Sequence, residues 1–280
     1  MKVLLTGARG MLGNDISSVL QKRGIEFIGV DKDEFNITDE TAVKVFISQY
    51  KPDIIIHCAA YTAVDKAEEE REIALRVNAE GTRHLASAAA EINARFTYIS
   101  TDYVFDGEGS EPFEVDAQCS PANWYGHTKL LGEEAVKACL NDYFIIRVSW
   151  LFGHNGNNFV KTMLQLAETR NELNVVNDQI GSPTYTADLA ELVVDISLSE
   201  KYGIYHATNE GFCNWCEFAE KIFEFAGKEI TVNAIHSEDY KTAAVRPKNS
   251  RLSKNALEKN GFNRLPGWED ALKRYLKGNK

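Results

Sequence analysis

The sequence contains no block of lysines or arginines, and its formal net charge is −10 over 280 residues. Such a chain lacks the continuous positive field that holds nucleic acid or an anionic membrane surface. A few arginines can still build a local anion site on an acidic surface. Long apolar runs are also missing, and no stretch reaches the length of a membrane span. The opening residues MKVLLTGARG have only Val3, Leu4 and Leu5 as an apolar run before the glycines, so no secretory signal is expected. The five cysteines are scattered and odd in number, unlike a disulfide framework. These absences together predict a protein of the reducing cytoplasm.

One cysteine pair has suggestive spacing, Cys213-Asn-Trp-Cys216. No second CxxC and no HxxxH is present to complete a metal shell. The expectation is an ordinary helix start instead, with Asn214 as N-cap, Glu217 closing a capping box, and Phe218, Ala219, Ile222 and Phe223 as the apolar stripe. No metal site is expected.

At 44 % hydrophobic and 26 % charged residues, the composition is that of a globular protein with a substantial core. The first half alternates strand and helix patterns. Strands are predicted at Val3–Thr6, Phe27–Val30, Ile54–Ile56, Phe96–Ser100 and Phe144–Val148. A helix follows the first strand, with Leu12, Ile16, Val19 and Leu20 at helical spacing, and a long one covers about Ala74 to Ile92. Apolar strands alternating with helices predict an α/β fold, a Rossmann-type doubly wound parallel sheet. After about Trp150 the rhythm loosens. Helices are expected near Phe159–Thr169, Ala187–Leu198, Trp215–Ala226 and Leu272–Leu276, and short strands near Val175, Ile204–His206 and Thr231–Ala234, with Pro183, Pro247 and Pro266 in loops. The predicted division is residues 1–150 as a dinucleotide-binding domain, joined by a returning segment near 175–205. Residues 151–280 form mainly a smaller mixed α/β substrate domain, with a cleft between the two.

The junction of the first strand and helix reads Thr6-Gly7-Ala8-Arg9-Gly10-Met11-Leu12-Gly13. Glycines here permit a tight turn, close approach of backbone N–H groups to a pyrophosphate, and tight helix–strand packing, with the helix N-terminus facing the anion. The spacing is GxxGxxG, and its position in an alternating chain points to a dinucleotide. Asp31 closes the second strand, where a carboxylate accepts hydrogen bonds from the adenosine ribose. Asp31 favours NADH, whereas Arg9 and Lys32 nearby allow the extra phosphate of NADPH.

Ligands of such sheets bind beyond the carboxyl ends of the strands. Cys58-Ala59-Ala60-Tyr61 follows the third strand there, and Ser100-Thr101-Asp102-Tyr103 follows the fourth. Next comes Trp124-Tyr125-Gly126-His127-Thr128-Lys129; of eleven tyrosines, Tyr125 alone has a lysine four residues on. That spacing puts the pair on one helix face, and by itself it suits a solvated pair as well as a catalytic one. The glycine loop and Thr101 favour catalysis. A phenol titrates near 10 and is a slow proton donor at neutral pH; a neighbouring cation lowers it. His57, at a strand end, is expected to be structural, and His127 to point away from the Tyr125/Lys129 face.

In this order and spacing, TGARGMLG, HCAAYT, ISTDYVFDG and YGHTK resemble the extended short-chain dehydrogenase/reductase superfamily. RVSWLFG (147–153), NDQIGSPTYTADLA (177–190) and VRPKNSRL (245–252) narrow the resemblance, over nearly the whole chain, to the dTDP-4-dehydrorhamnose reductases. The resemblance implies NADH- or NADPH-dependent reduction of the C4 ketone of a dTDP-4-keto-6-deoxy sugar. It makes Tyr125 the proton donor, Lys129 its tuning charge and a ligand of the nicotinamide ribose, and Thr101 the hydroxyl holding the carbonyl oxygen. It carries Asn78 to the active site, Thr62, Val64, Asp102, Tyr103 and Trp150 to the sugar or nicotinamide pocket, and Arg246 to the substrate diphosphate, with a surface ion pair as the alternative for Arg246. Trp150 also suits a core position. Some members dimerise through magnesium; Asp15 and Glu191 lie in comparable regions without completing an acidic set. The expected partner is a dTDP-sugar, and the chain is expected to be a monomer or homodimer. Two alternatives stay open. One is a nucleotide-sugar epimerase or epimerase-reductase of the same fold. The other is a non-catalytic subunit like the regulatory subunit of methionine adenosyltransferase.

Overall fold

The computed structural model describes residues 1–278. The chain runs β1 (Lys2–Thr6), α1 (Met11–Lys22), β2 (Glu26–Val30), α2 (Glu40–Tyr50), β3 (Ile54–His57), α3 (Val64–Ala67), α4 (Arg71–Leu75), a π-helical turn (Arg76–Gly81), α5 (Thr82–Glu91), β4 (Arg95–Thr101), α6 (Trp124–Cys139) and β5 (Tyr143–Val148). It continues β6 (Leu151–Phe152), α7 (Phe159–Leu166), β7 (Glu172–Val176), β8 (Ile180–Gly181), β9 (Thr184–Tyr185), α8 (Thr186–Leu198), β10 (Gly203–His206), β11 (Cys213–Asn214), α9 (Trp215–Ala226), β12 (Thr231–Ile235), α10 (Asn255–Lys259) and α11 (Trp268–Lys277).

Six strands form one parallel sheet in the order β10-β5-β4-β3-β1-β2. Alternate residues of each strand feed opposite faces. Val3, Leu5, Ile54, Ile56, Phe144 and Ile146 pack with α1 and α8 on one side. Leu4, Ile55, Phe96, Tyr98 and Ile145 pack with α2, α5 and α6 on the other. A sheet covered on both faces explains why its strands read as unbroken apolar runs. A third cluster, built from Phe152, Met163, Phe218, Phe223, Leu272 and Tyr275, forms the core of the later elements. Strand order reverses between β1 and β3, so a crevice opens at the carboxyl ends of these strands.

The continuous helix expected from 74 to 92 is interrupted. The π-helical turn inserts an extra residue between α4 and α5. A Cβ on Gly81 would meet Ile37 Cγ1 at 2.8 Å, so the backbone there lies close to its neighbour. Helix α2 is absent from the periodicity reading because it buries only Val43 and Ile47. Helix α11 begins four residues earlier than its apolar stripe suggests.

The start of α9 matches the sequence expectation. Asn214 accepts from Glu217 N at 2.8 Å, and the Glu217 carboxylate accepts from Asn214 N at 2.9 Å. Cys213 and Cys216 are buried and free, with burial pushing both thiols up. Among the described residues, no helix is long and apolar enough to cross a membrane.

Candidate active site

A cleft of about 1020 Å³ lies over the carboxyl ends of β1, β3, β4 and β5. Its floor is the glycine loop. Gly7 has φ +70°, and a Cβ there would sit 2.7 Å from Ala59 N, so the loop touches the segment after β3. A Cβ on Gly13 would overlap the Gly7 carbonyl, which fixes the close seat of α1 on the loop. Gly10 caps α1 with no side-chain partner for the first N–H groups, and these N–H groups adjoin the cleft lined by Gly10, Met11, Leu12 and Gly13. A cradle that any side chain would fill, with a helix N-terminus beside it, suits a pyrophosphate.

At one end of the cleft, the Asp31 carboxylate accepts from Arg9 N at 2.8 Å. The Arg9 guanidinium lies 3.2 Å from Asp31 and 3.0 Å from both Asp33 and Glu34. The base that could meet a 2′-phosphate is thus held by three carboxylates. Asn36, Ile37 and Thr38 line this end as well. Nothing in their own sequence marks them; Ile37 is held by packing on the π-helical turn at Gly81 and by His84, which bonds its carbonyl at 3.1 Å.

At the other end stand Thr101, Tyr125 and Lys129, with Ala59, Ala60, Tyr61, Thr62, Val64, Asp102, Tyr103 and Trp150 on the surrounding walls. Asn123 caps α6 by accepting from Gly126 N at 2.8 Å, which fixes where the helix carrying Tyr125 begins. A Cβ on Gly126 would overlap the Tyr103 carbonyl, so α6 packs directly onto the turn after β4. The Tyr103 ring stands edge-on to Tyr125 with centroids 5.6 Å apart. Thr101 donates to Asp102 Oδ1 at 3.0 Å and accepts from Tyr103 N at 3.2 Å.

Lys129 is buried, donates to the Ile99 carbonyl at 2.7 Å and lies 4.0 Å above the Tyr98 ring. Burial brings its ammonium down to about 7, against the pull of Glu133 and Cys58. Glu133, one turn further along α6, is fully buried and forks onto Arg147 with bonds of 2.8 and 2.7 Å. The Tyr125 phenol does not sit low, as the Tyr125/Lys129 spacing had suggested. Burial pushes it up, the Asp102 charge adds to this, and the Thr101 hydroxyl acts in the opposite direction. Burial also lifts the Asp102 carboxyl to about 6, against hydrogen bonds from Ser250 and Thr101.

Two candidate residues stand behind the cleft wall. Asn78 is buried. It accepts from Tyr61 N at 2.8 Å and donates to Tyr61 O at 3.1 Å and Thr128 Oγ1 at 3.0 Å, so it fixes the Tyr61 backbone from the π-helical turn. Arg246 forks onto Asp65 with bonds of 2.9 and 2.7 Å, the ion-pair alternative, and holds that carboxyl down to about 2. His57 is bonded on both ring nitrogens, to Thr6 at 2.7 Å and Thr82 at 3.1 Å. His127 packs on Trp124, centroids 5.0 Å apart. Glu191 pairs with Lys22 and Arg23, and the Thr186 hydroxyl bonds Asp15.

Over residues 1–280 the sequence matches the profile of the family described as RmlD substrate binding domain. The chain belongs to that family. It is 45 % identical to the spore coat polysaccharide biosynthesis protein SpsK of Bacillus subtilis, over 98 % of this chain and 96 % of that protein. It is 41 % identical to a dTDP-4-dehydrorhamnose reductase of Aggregatibacter actinomycetemcomitans, over 97 % of both. The crystal structure of the dTDP-4-dehydrorhamnose reductase of Bacillus anthracis in complex with NADP superimposes with a TM-score of 0.97 at 44 % identity, over 99 % of both chains. The family accounts for the parallel sheet, the glycine loop and the cleft together.

Proposed function

We propose that this chain reduces the C4 ketone of dTDP-4-dehydro-6-deoxy-L-mannose to dTDP-L-rhamnose, using NADH or NADPH. The observation that carries the reading is that Thr101, Tyr125 and Lys129 share one cleft with the glycine loop, in a chain with full-length likeness to reductases of this kind. The dinucleotide, when bound, supplies the hydride for C4. Gly7, Arg9, Gly10, Met11, Leu12, Gly13 and Asp31 would hold its pyrophosphate and adenosine end, with Ala59, Ala60 and Tyr61 along its length.

Tyr125 donates its proton to the ketone oxygen. A phenol held protonated by burial and by Asp102 is in the form that reduction needs, and a buried Lys129 that takes up a proton stabilises the phenolate left behind. The Thr101 hydroxyl turns from Asp102 to the ketone oxygen and orients it. Thr62, Val64, Asp102, Tyr103 and Trp150 enclose the sugar, and Arg246 exchanges Asp65 for the substrate diphosphate, where a planar fork suits paired oxygens. Residues 1–150 with a returning segment near 175–205 form the dinucleotide-binding domain, whose cleft edge also meets the sugar, and the rest of 151–280 is mainly the substrate domain. The work is cytoplasmic, on a nucleotide-activated sugar rather than on nucleic acid.

The test is net oxidation of NADH or NADPH by dTDP-4-dehydrorhamnose. Turnover without net oxidation would favour an epimerase, which returns its hydride. Tyr125→Phe should lower kcat by about 10²–10⁴ with dinucleotide affinity unchanged. A variant that turns over like the wild type would overturn Tyr125 as donor.

A further inference from the structure

Trp150 is the residue of the cleft wall whose backbone is least at ease. It has φ +50°, a left-handed conformation that bulky side chains rarely adopt. Strain of this kind persists only where surrounding contacts over-determine it, and it is common at ligand sites. The contacts are visible. The Trp150 carbonyl accepts from Thr184 N at 3.0 Å, tying the residue to β9. One side of the indole lies on Gly181, where a Cβ would stand 2.8 Å from Trp150 Cε2. The indole also stacks on Trp215, with centroids 3.6 Å apart and planes 14° from parallel.

Trp215 does not line the cleft. It is the first residue of α9, placed by the capping box of Asn214 and by the pairing of β11 with β8, the strand that carries Gly181. Its indole N–H donates to Gln179 Oε1 at 3.2 Å, and the Gln179 amide donates to Ser237 Oγ at 3.0 Å. Phe159 packs against it at 4.6 Å, linking it to the core around Phe218. The later elements therefore support the Trp150 wall of the cleft through this stacked pair.

We propose that Trp215 is a positioning residue for substrate specificity, which presses the strained Trp150 indole against Gly181 and so fixes the wall that meets the sugar. This rests on the reductase reading above. A wall set this way contributes to binding of the sugar but not to dinucleotide binding or to the chemical step, so its loss appears in one KM.

The experiment uses the full chain, with wild type, Trp150→Phe, Trp215→Phe and Trp215→Ala. Far-ultraviolet circular dichroism should show the exciton couplet of two stacked indoles in wild type and not in any variant. Trp215→Ala should raise KM for dTDP-4-dehydrorhamnose roughly tenfold, the size of a lost aromatic contact, with kcat and the dinucleotide KM within about twofold on the same principle. Trp215→Phe keeps a flat face and should restore most of that KM while still lacking the couplet. Three results overturn the proposal: no couplet in wild type, an unchanged sugar KM in Trp215→Ala, or an equal loss in kcat and in both KM values. If Trp215→Ala fails to fold, Gln179→Leu carries the test by freeing the Trp215 N–H, and an unchanged sugar KM there overturns the proposal as well. A wild type that oxidises no cofactor with this sugar overturns the reductase reading and this proposal together. An active wild type with an indifferent Trp215 overturns this proposal alone.

Discussion

Lys129 is where burial and charge compete most directly. Its ammonium is brought down to about 7 by burial, although Glu133 stands one turn away. A lysine that loses its proton near neutrality no longer stabilises a phenolate. The kcat/KM for the dinucleotide reads ionisations of the free chain. It should fall as pH rises through about 7, and a profile flat from weak acid to weak alkali would contradict the role given to Lys129. The Tyr125/Lys129 spacing was legible as a motif, but the direction of the Tyr125 shift was not. Sequence puts a cation one turn from the phenol; it does not reveal that the phenol is desolvated beside Asp102, whose charge resists a second negative one. Arg246 is similar. Its type suits a diphosphate, yet its partner Asp65 lies 181 positions away, and only the fold brings the two together.

At the scale of elements, local signals were reliable where the determinant was itself local. The reciprocal bonds of Asn214 and Glu217 lie within three residues of each other, so sequence exposes them and settles the meaning of Cys213-x-x-Cys216. Asn214→Ala should lower stability by about 1 kcal/mol, measured by urea unfolding; a loss near zero would mean that the capping box is not formed in solution. Because Trp215 follows directly, the same variant tests whether the cap and the Trp150 stack are coupled. The π-helical turn is the opposite case. Its extra residue serves Asn78, which bonds the Tyr61 backbone across 17 positions, and no helical periodicity encodes that demand. Helix α2 was missed because two buried residues make too thin a stripe.

The whole molecule depends on a sheet buried on both faces, and two histidines inside it make stability depend on pH. His57 and His206 are each brought down to about 3, first by burial and then by the charge of Lys129 or Arg147. An unfolded histidine titrates near 6.5. The unfolded chain therefore binds these protons more readily, and stability rises with pH across that interval. The contribution is complete above about 6.5 and is lost as pH falls toward about 3. The free energy of urea unfolding should decline steadily as pH drops below 6.5, before most carboxylates titrate; constancy down to pH 4.5 would show that the histidines are not held neutral.

The sequence by itself determined the strand–helix alternation, the glycine loop, the Tyr125/Lys129 face and the helix caps, because each is written in residues a few positions apart. It also carried the family resemblance, whose motifs are contiguous stretches. Tertiary structure alone decided which side of the phenol's ordinary pKa the site takes, that Arg9 is gripped by Asp31, Asp33 and Glu34, and that Trp150 is backed by Trp215. Burial, like-charge proximity and aromatic stacking depend on distance in space, and the folded chain sets those distances between residues far apart in sequence.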